Sequence, residues 1–221
     1  NLMTNEGKSA LLLALLSPQF NDFSVAKRLI DNGAETNDID ENGDNILQFL
    51  IKSSREAAAI FMCDHVNLNY KNSDNLTVLH LAAKFGHAEL VKRILTCGAS
   101  PNIQTGIEQM KTALHFAIEA NSEEVVQAFV DFKGDEGEEK PDFNIRCAEG
   151  DTPLSLALSL KHNDLVPLLI RGGSDVNARN GEMTLLHQAI IKESPETAIF
   201  LLEQGADINA LTGDQESPLQ L

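Results

Sequence analysis

Residues 77–102 show the clearest pattern of hydrophobic and polar positions in the chain, in the segment TVLHLAAKFGHAELVKRILTCGASPN. Apolar and small side chains dominate positions 79–83, and after a glycine a second apolar stripe follows at 90–95. The apolar positions of that stripe are i, i+1, i+4 and i+5, which lie on one face of an α-helix. The pattern predicts two short antiparallel helices, the first capped by Thr77 and the second followed by Gly98.

Copies of this segment recur along the whole chain, each centred on a leucine. The central leucines are Leu11, Leu47, Leu79, Leu114, Leu154, Leu186 and Leu219, which are 36, 32, 35, 40, 32 and 33 residues apart. One helix pair cannot bury its own apolar faces, whereas stacked copies can. The repeat predicts a single all-α array over 1–221. We place the copies at about 5–38, 41–72, 73–105, 108–146, 148–179 and 180–212, with the start of a seventh at 213–221.

The best-matched copies resemble the ankyrin-repeat family, whose signature has Thr-Pro-Leu-His, two alanines, Gly-His and a later Gly-Ala-Asp-Val-Asn. The resemblance covers essentially all 221 residues. It implies a solenoid of stacked helix-turn-helix units with protruding finger loops. The copy at Leu47 is degenerate, because Asn45, Ile46 and Gln48 replace Thr, Pro and His. Residues 150–173 also look like the ankyrin array of rabankyrin-type endosomal proteins, which carry a lipid-binding FYVE domain elsewhere.

Several copies depart from the common length. Three extra residues lie around 17–22, and the second copy lacks a Gly-Ala turn, so its second helix, near 56–62, should end irregularly. The loop at 103–111 is longer than its counterpart two copies later and should protrude. The insertion at 131–142 is rich in Gly, Glu and Asp, and we expect a mobile acidic loop there. A tolerated, solvated insertion explains it better than a dedicated binding loop.

Net charge limits the partners. Seventeen basic and 33 acidic residues give a net charge of −16, which repels phosphate backbones, so we expect no nucleic-acid partner. Apolar runs are far shorter than the roughly 20 residues of a membrane span, so we expect no direct membrane insertion. Three widely separated cysteines fit the reduced thiols of a cytoplasmic protein. Without an initial methionine, the sequence reads as an excerpt of a longer chain.

Histidines are the residues that most invite a catalytic or metal-binding interpretation. His80, His115 and His187 occupy one position of the repeat, and the resemblance implies that each bonds the backbone of a neighbouring loop. Structural zinc needs four ligands at tight paired spacings, which the sequence lacks. A phosphate-binding glycine loop and a nucleophile elbow are also missing. We therefore expect no catalytic residue, no metal site and no cofactor.

The resemblance implies partner contacts at the finger loops and at positions +5 and +6 after each central leucine. Carried over by position, the contact residues are Asp44, Lys52, Asp74, Leu76, Lys84, Phe85, Gln109, Lys111, Glu119, Glu149, Asp151, Ser159, Leu160, Glu182, Met183 and Lys192. The apolar members Leu76, Phe85, Leu160 and Met183 would be anchors, because desolvated apolar contacts supply most interface energy. Ordinary surface or packing between repeats explains each of them equally well.

These observations predict a non-enzymatic scaffold that binds a protein or peptide partner in the cytoplasm. The narrower resemblance adds endosomal trafficking, endosomal membranes reached through another domain, and an endosomal Rab GTPase as partner. The alternative is a module that positions a catalytic or lipid-binding domain outside this segment.

Two asparagines are candidate modification sites. Asn177 and Asn209 each follow an Asp and a Val or Ile, with a leucine eight residues earlier. This resembles the acceptor pattern of the asparaginyl hydroxylase that acts on ankyrin repeats. The alternative is that both asparagines only stabilise a turn.

Overall fold

The computed structural model describes residues 9–17, 22–135 and 137–221, and within them the chain forms twelve α-helices in six pairs. The pairs are α1 (Ala10–Leu16) with α2 (Ser24–Asp31), α3 (Ile46–Lys52) with α4 (Glu56–Met62), α5 (Val78–Lys84) with α6 (Ala88–Thr96), α7 (Ala113–Glu119) with α8 (Glu123–Asp131), α9 (Pro153–Ser159) with α10 (Val166–Gly172), and α11 (Leu185–Ile191) with α12 (Pro195–Glu203). A 3-10 turn, Asn163–Leu165, precedes α10. The short strands β1 (Arg179–Asn180) and β2 (Met183–Thr184) pair antiparallel before α11.

The helices lie in two layers around an aliphatic core. First helices of successive pairs pack on one another, as α3 on α5 and α5 on α7, and second helices do the same, as α4 on α6 and α6 on α8. Six of the seven central leucines are buried between the layers. Leu219 is 76% exposed, because residues 218–220 form a turn and no helix.

Capping side chains join the third, fourth and sixth repeats to the finger that follows each of them. Thr77 caps α5, its backbone N–H donates to His80 Nδ1 at 3.0 Å, and His80 Nε2 lies 3.2 Å from the carbonyl oxygen of Lys111 in the next finger. The equivalent contacts join His115 to Asp151 and His187 to Glu216, at 3.3 and 3.2 Å. The histidines therefore bond neighbouring loop backbone, as the resemblance implied.

The copy that is degenerate in sequence keeps this arrangement with other residues. Asn45 caps α3, and its N–H donates to Gln48 Oε1 at 2.8 Å. Gln48 Nε2 then donates to the carbonyl oxygen of Leu76 in the next finger, also at 2.8 Å. A glutamine amide has an acceptor and a donor, as a neutral imidazole does, so it can fill both roles.

A second chain of hydrogen bonds runs through the loops that follow the second helices. In each case an asparagine Oδ1 accepts a backbone N–H from the next repeat: Asn69 from Ser100, Asn102 from Asp142, Asn144 from Asp175 and Asn177 from Asp207, at 2.7 to 2.9 Å. These side chains connect repeats, which is more than the turn stabilisation expected of Asn177.

The departures from the common length have different outcomes. Most of the extra residues around 17–22 lie outside the described residues. Helix α4 ends at Met62 without a left-handed residue after it, since Cys63 keeps a right-handed helical conformation, and the irregular end is confirmed. The loop at 103–111 protrudes, with residues 107–110 exposed.

The acidic insertion is attached at its far end. Asn102 Nδ2 donates to Glu139 Oε1 at 2.9 Å and to the carbonyl oxygen of Lys140 at 2.8 Å. Phe143 is buried, and a Cβ on Gly172 would lie 2.4 Å from its ring, so only glycine allows this packing. The expectation of a purely mobile loop was therefore wrong for this half of the insertion, because asparagine and the aromatic ring hold it.

Candidate protein-binding site

A groove of about 860 Å³ lies between the third and fourth fingers. Its walls are residues 73–76 of one finger and 105–111 of the next, and its floor comes from α5 and α7 through Lys84, Phe116, Glu119 and Ala120. We call it the finger groove. It brings together six of the sixteen predicted contact residues, namely Asp74, Leu76, Lys84, Gln109, Lys111 and Glu119.

The fourth finger is held rigidly although it is long. Thr105 N donates a hydrogen bond to the carbonyl oxygen of Lys111 at 2.9 Å, and Lys111 N donates one to Thr105 Oγ1 at 3.0 Å. Gln104 Nε2 donates to the carbonyl oxygens of Met110 and Arg146, at 2.6 and 2.8 Å. These bonds close the base of the loop and tie it to the following finger. The tip is therefore presented by a fixed frame.

The tip of this finger presents an apolar side chain to solvent. Ile107 is 90% exposed, and Met110 and Phe85 are also exposed, Phe85 at 50%. A large aliphatic side chain on an ordered loop, beside a groove, is the kind of exposed apolar group that marks interaction sites. Sequence reasoning missed Ile107, because positions counted from the central leucines pass over residues in a lengthened loop.

The four predicted apolar anchors differ in exposure. Phe85 and Leu160 are exposed, at 50% and 42%, and Met183 is half-buried. Leu76 is only 9% exposed, because it packs into the core at the base of its finger and its backbone bonds Asn72 and Gln48. The expectation that Leu76 is an exposed anchor was wrong.

Charged residues at two of the predicted contact positions bond each other within a repeat. Lys52 Nζ lies 2.5 Å from Asp44 Oδ2, and Lys111 Nζ lies 2.7 Å from Glu119 Oε1. The two pairs occupy equivalent positions with the charges exchanged, because Lys52 corresponds to Glu119 and Asp44 corresponds to Lys111. Asp44 is buried and also accepts a bond from Asn72, so its assignment as a surface contact was wrong.

Lys111 keeps its positive charge despite partial burial. Burial lowers the pKa of Lys111, but the hydrogen bond and the charge of Glu119 outweigh burial, and the pKa is raised overall. The pair therefore adds little net charge to the groove.

Lys84 has no such partner. The third repeat has the uncharged Leu76 at the position that Asp44 and Lys111 hold in their repeats. Among residues 9–17, 22–135 and 137–221 no acidic group lies within ion-pair distance of Lys84. Lys84 is exposed at the C-terminal end of α5. It is thus an uncompensated cation on the groove floor.

The remaining predicted residues lie along the next two repeats, away from the finger groove. Asp151 is half-buried and accepts bonds from Ser155 Oγ at 2.7 Å and from Asn180 Nδ2 at 2.9 Å, which is a structural role. Lys192 Nζ lies 3.5 Å from Ser159 Oγ. Glu149 and Glu182 are exposed.

The two candidate modification sites differ in their contacts. Asn177 Oδ1 accepts from Asp207 N at 2.8 Å, and its Nδ2 donates to the carbonyl oxygen of Gly205 at 3.4 Å. The side chain of Asn209 makes no hydrogen bond within the part of the chain that the structure describes, although its backbone N–H donates to Asp207 Oδ1.

The titratable groups inside the array are neutral structural residues. Burial lowers the pKa of His80 to about 4 and raises the pKa of the Cys63 thiol to about 12. All three cysteines are free thiols. The described residues contain no group of three or more His, Cys, Asp or Glu side chains placed to hold a metal ion. None of the described helices has the length and apolarity to cross a membrane.

Paired helices in two layers, with bonded fingers along one edge, define a helical-repeat solenoid. The sequence profile described as ankyrin repeats (3 copies) matches residues 11–105, 79–180 and 114–212, so the chain belongs to the ankyrin-repeat family. Human rabankyrin-5 is 32% identical over 204 residues, which cover 80% of this chain and 18% of that protein. Human neurogenic locus notch homolog protein 1 is 32% identical over 146 residues, or 66% of this chain and 5% of that protein. The chain thus spans less than a fifth of these curated relatives.

Solved structures share the fold. The ankyrin repeat domain of Bcl-3, described as a unique member of the IkappaB protein family, superposes with a TM-score of 0.80 at 18% identity, covering 98% of this chain and 94% of that domain. The human ASB11 ankyrin repeat domain gives 0.65 at 21% identity, covering 97% and 91%. At these identities the likeness concerns the fold alone. Ankyrin repeats are generally protein-protein interaction modules, and this is the coarse function of the chain.

Proposed function

We propose that this chain is a non-enzymatic scaffold that binds an extended peptide segment of a partner protein in the finger groove. The observation that carries the proposal is the exposure of Ile107 and Phe85 beside a groove whose walls are hydrogen-bonded. Burying such side chains against a partner removes apolar surface from water, at about 25 cal/mol per Å². Because the fingers are already ordered, little conformational entropy is lost when a partner binds.

The test needs a partner and four single variants. A pulldown followed by mass spectrometry would identify partners, and the affinity of the purified partner would then be measured for wild type and for Phe85→Ala, Ile107→Ala and Lys84→Glu. We expect Phe85→Ala or Ile107→Ala to lower affinity about tenfold, as loss of an interface anchor does. The control is Ile199→Ala, which removes a similarly exposed side chain from α12, far from the groove.

Circular dichroism must be unchanged in every variant, so that loss of binding is not loss of folding. Full affinity in Phe85→Ala, Ile107→Ala and Lys84→Glu together would exclude the finger groove as the binding site.

We also propose, from the similarity to rabankyrin-5, that the chain works in the cytoplasm in endosomal trafficking with an endosomal Rab GTPase among its partners. The alternative is that it positions a catalytic or lipid-binding domain elsewhere in a longer protein. Fluorescently tagged residues 1–221 distinguish the two. Recruitment of this segment alone to endosomes supports a partner on that membrane, and diffuse fluorescence supports the positioning role.

We further propose hydroxylation of Asn177 and Asn209 by an asparaginyl hydroxylase. The side chain of Asn209 is the more available of the two, since Asn177 bonds the next repeat. We expect intact-mass analysis of protein from mammalian cells to find one added oxygen, at Asn209 before Asn177. An unmodified mass would contradict the proposal.

A further inference from the structure

The finger groove holds three charged side chains that have no charged partner within the described ranges. Asp74 and Glu108 lie on the two fingers, and Lys84 lies on the floor. The other two charges of the groove, Lys111 and Glu119, neutralise each other at 2.7 Å. The charges available to a ligand are therefore two carboxylates on the walls and one ammonium group.

These charges are separated along the groove. The fingers precede the first helices, and Lys84 is the last residue of α5, which has seven residues. At 1.5 Å rise per residue, the helix carries the backbone of Lys84 about 10 Å away from the finger. A lysine side chain at this position can extend back toward the finger, as Lys52 Nζ does in reaching Asp44 at 2.5 Å. An extended peptide advances about 3.3 Å per residue, so at most about three peptide residues separate the two ends of the groove.

Apolar side chains flank the space between the two ends. Phe85 and Ile107 are exposed at the groove, and the ring of Phe116 reaches its floor. The middle of a bound segment would therefore meet apolar groups, while its ends would meet charges of opposite sign.

We propose that the groove recognises an extended segment in which a Lys or Arg and an Asp or Glu are about two or three residues apart, with an apolar residue between them. The basic side chain lies between Asp74 and Glu108, and the acidic one lies beside Lys84. The net charge of −16 favours approach of the basic end. This inference rests on the proposed function and adds the chemistry of the partner.

The test is selection of phage-displayed random linear peptides of about 12 residues, long enough for an extended chain to pass through the groove, on the folded chain. We expect enriched sequences to contain the two opposite charges at that spacing, with an apolar residue between. A synthetic peptide of the enriched sequence should lose about tenfold in affinity for Lys84→Glu. Changing the acidic residue of the peptide to Lys should restore binding to Lys84→Glu.

Two further protein variants are tested in the same selection. The double variant Asp74→Lys with Glu108→Lys should remove the preference for a basic residue. Lys27→Glu is the matched control, because it makes the same charge change at an exposed lysine of α2, outside the groove and outside the predicted contact residues, and it should leave the preference unchanged.

The outcomes separate the two proposals. Enriched peptides without opposite charges, or an unchanged preference in Lys84→Glu, would overturn the inference about partner chemistry and leave the groove as a binding site. Failure to enrich any peptide, or enriched peptides that bind Ile107→Asp as tightly as wild type, would overturn the proposed function itself.

Discussion

The junction between the third and fourth repeats and the junction between the fifth and sixth are built differently. At the first, His80 reaches the carbonyl oxygen of Lys111 and its ring meets Phe116 edge-on, with ring centroids 5.7 Å apart. Helices α5 and α7 pack closely along their lengths. At the second, Ser155 stands in the histidine position and its Oγ bonds Asp151 in its own repeat.

The helices at the later junction also touch little. Contact between α9 and α11 is sparse, and a cleft of about 370 Å³ lies between the fifth and sixth repeats, lined by residues of both. The two junctions thus differ in the side chain that follows the central leucine, which reaches the next finger as His80 and stays within its own repeat as Ser155. Serine is too short to reach beyond its own finger.

The largest effect should come from removing core volume at the tight junction. Leu79→Ala should lower the free energy of unfolding by about 2 to 5 kcal/mol, because it leaves a cavity between close-packed helices. Urea unfolding followed by circular dichroism measures it. The matched control is Leu219→Ala at an exposed turn, where we expect a change within about 0.5 kcal/mol. Equal effects would mean that the two leucines have similar surroundings.

Removing the histidine should be the next largest change. His80→Ala should cost about 1 to 3 kcal/mol, because the buried Thr77 N–H loses its acceptor and the carbonyl oxygen of Lys111 keeps only the N–H of Thr105. His80→Gln is the sharper variant. Gln48 makes both bonds in the second repeat, so glutamine should recover most of the loss. A glutamine variant as unstable as the alanine variant would contradict this explanation.

Acid should weaken the same junction. The pKa of His80 is about 4 in the folded chain because of burial, whereas an unfolded histidine has a pKa of about 6.5. Between these values only the unfolded chain takes up the proton, so stability is complete above pH ~6.5 and falls toward pH ~4, by at most about 1.4 kcal/mol per pH unit. Urea midpoints measured across this range should fall less steeply in His80→Gln. Parallel curves would exclude His80 as the source.

The smallest effect should come from repairing the loose junction. Ser155→His should add a bond to the carbonyl oxygen of Met183, the counterpart of Lys111, and gain about 0.5 to 1.5 kcal/mol. Hydrogen exchange in residues 180–212 measures it, because local opening of the last repeat sets those rates. Faster exchange in the variant would mean that the site cannot accept an imidazole.

Most of the fold was predictable from the sequence, because helix pairs that depend on one another must repeat their apolar positions. The irregular end of α4 follows from that register, whereas the role of His80, His115 and His187 followed from the resemblance to the ankyrin-repeat family. The degenerate copy was harder to interpret, since Gln48 looks unlike histidine in a sequence signature and equals it in hydrogen bonding.

The candidate site was predicted less well, for a physical reason. Counting from the central leucines places a residue on the surface without saying what its neighbours are. Leu76 occupies a position that is polar in five other copies, yet it is buried, as Asp44 is at the same position of the second copy. Ile107 lies in extra loop length, which has no counterpart in the repeat.

The asparagine bonds between loops have a mechanical consequence for the loose junction. Asn177 joins the loops of the fifth and sixth repeats, Asn180 bonds Asp151, and Arg179 Nη1 donates to the carbonyl oxygen of Leu211 at 2.9 Å. The loops of this junction are therefore hydrogen-bonded to one another, whereas α9 and α11 make few contacts. A pulling force on the two ends of the array would separate the helices of this junction first, and its hydrogen-bonded loops would act as the hinge.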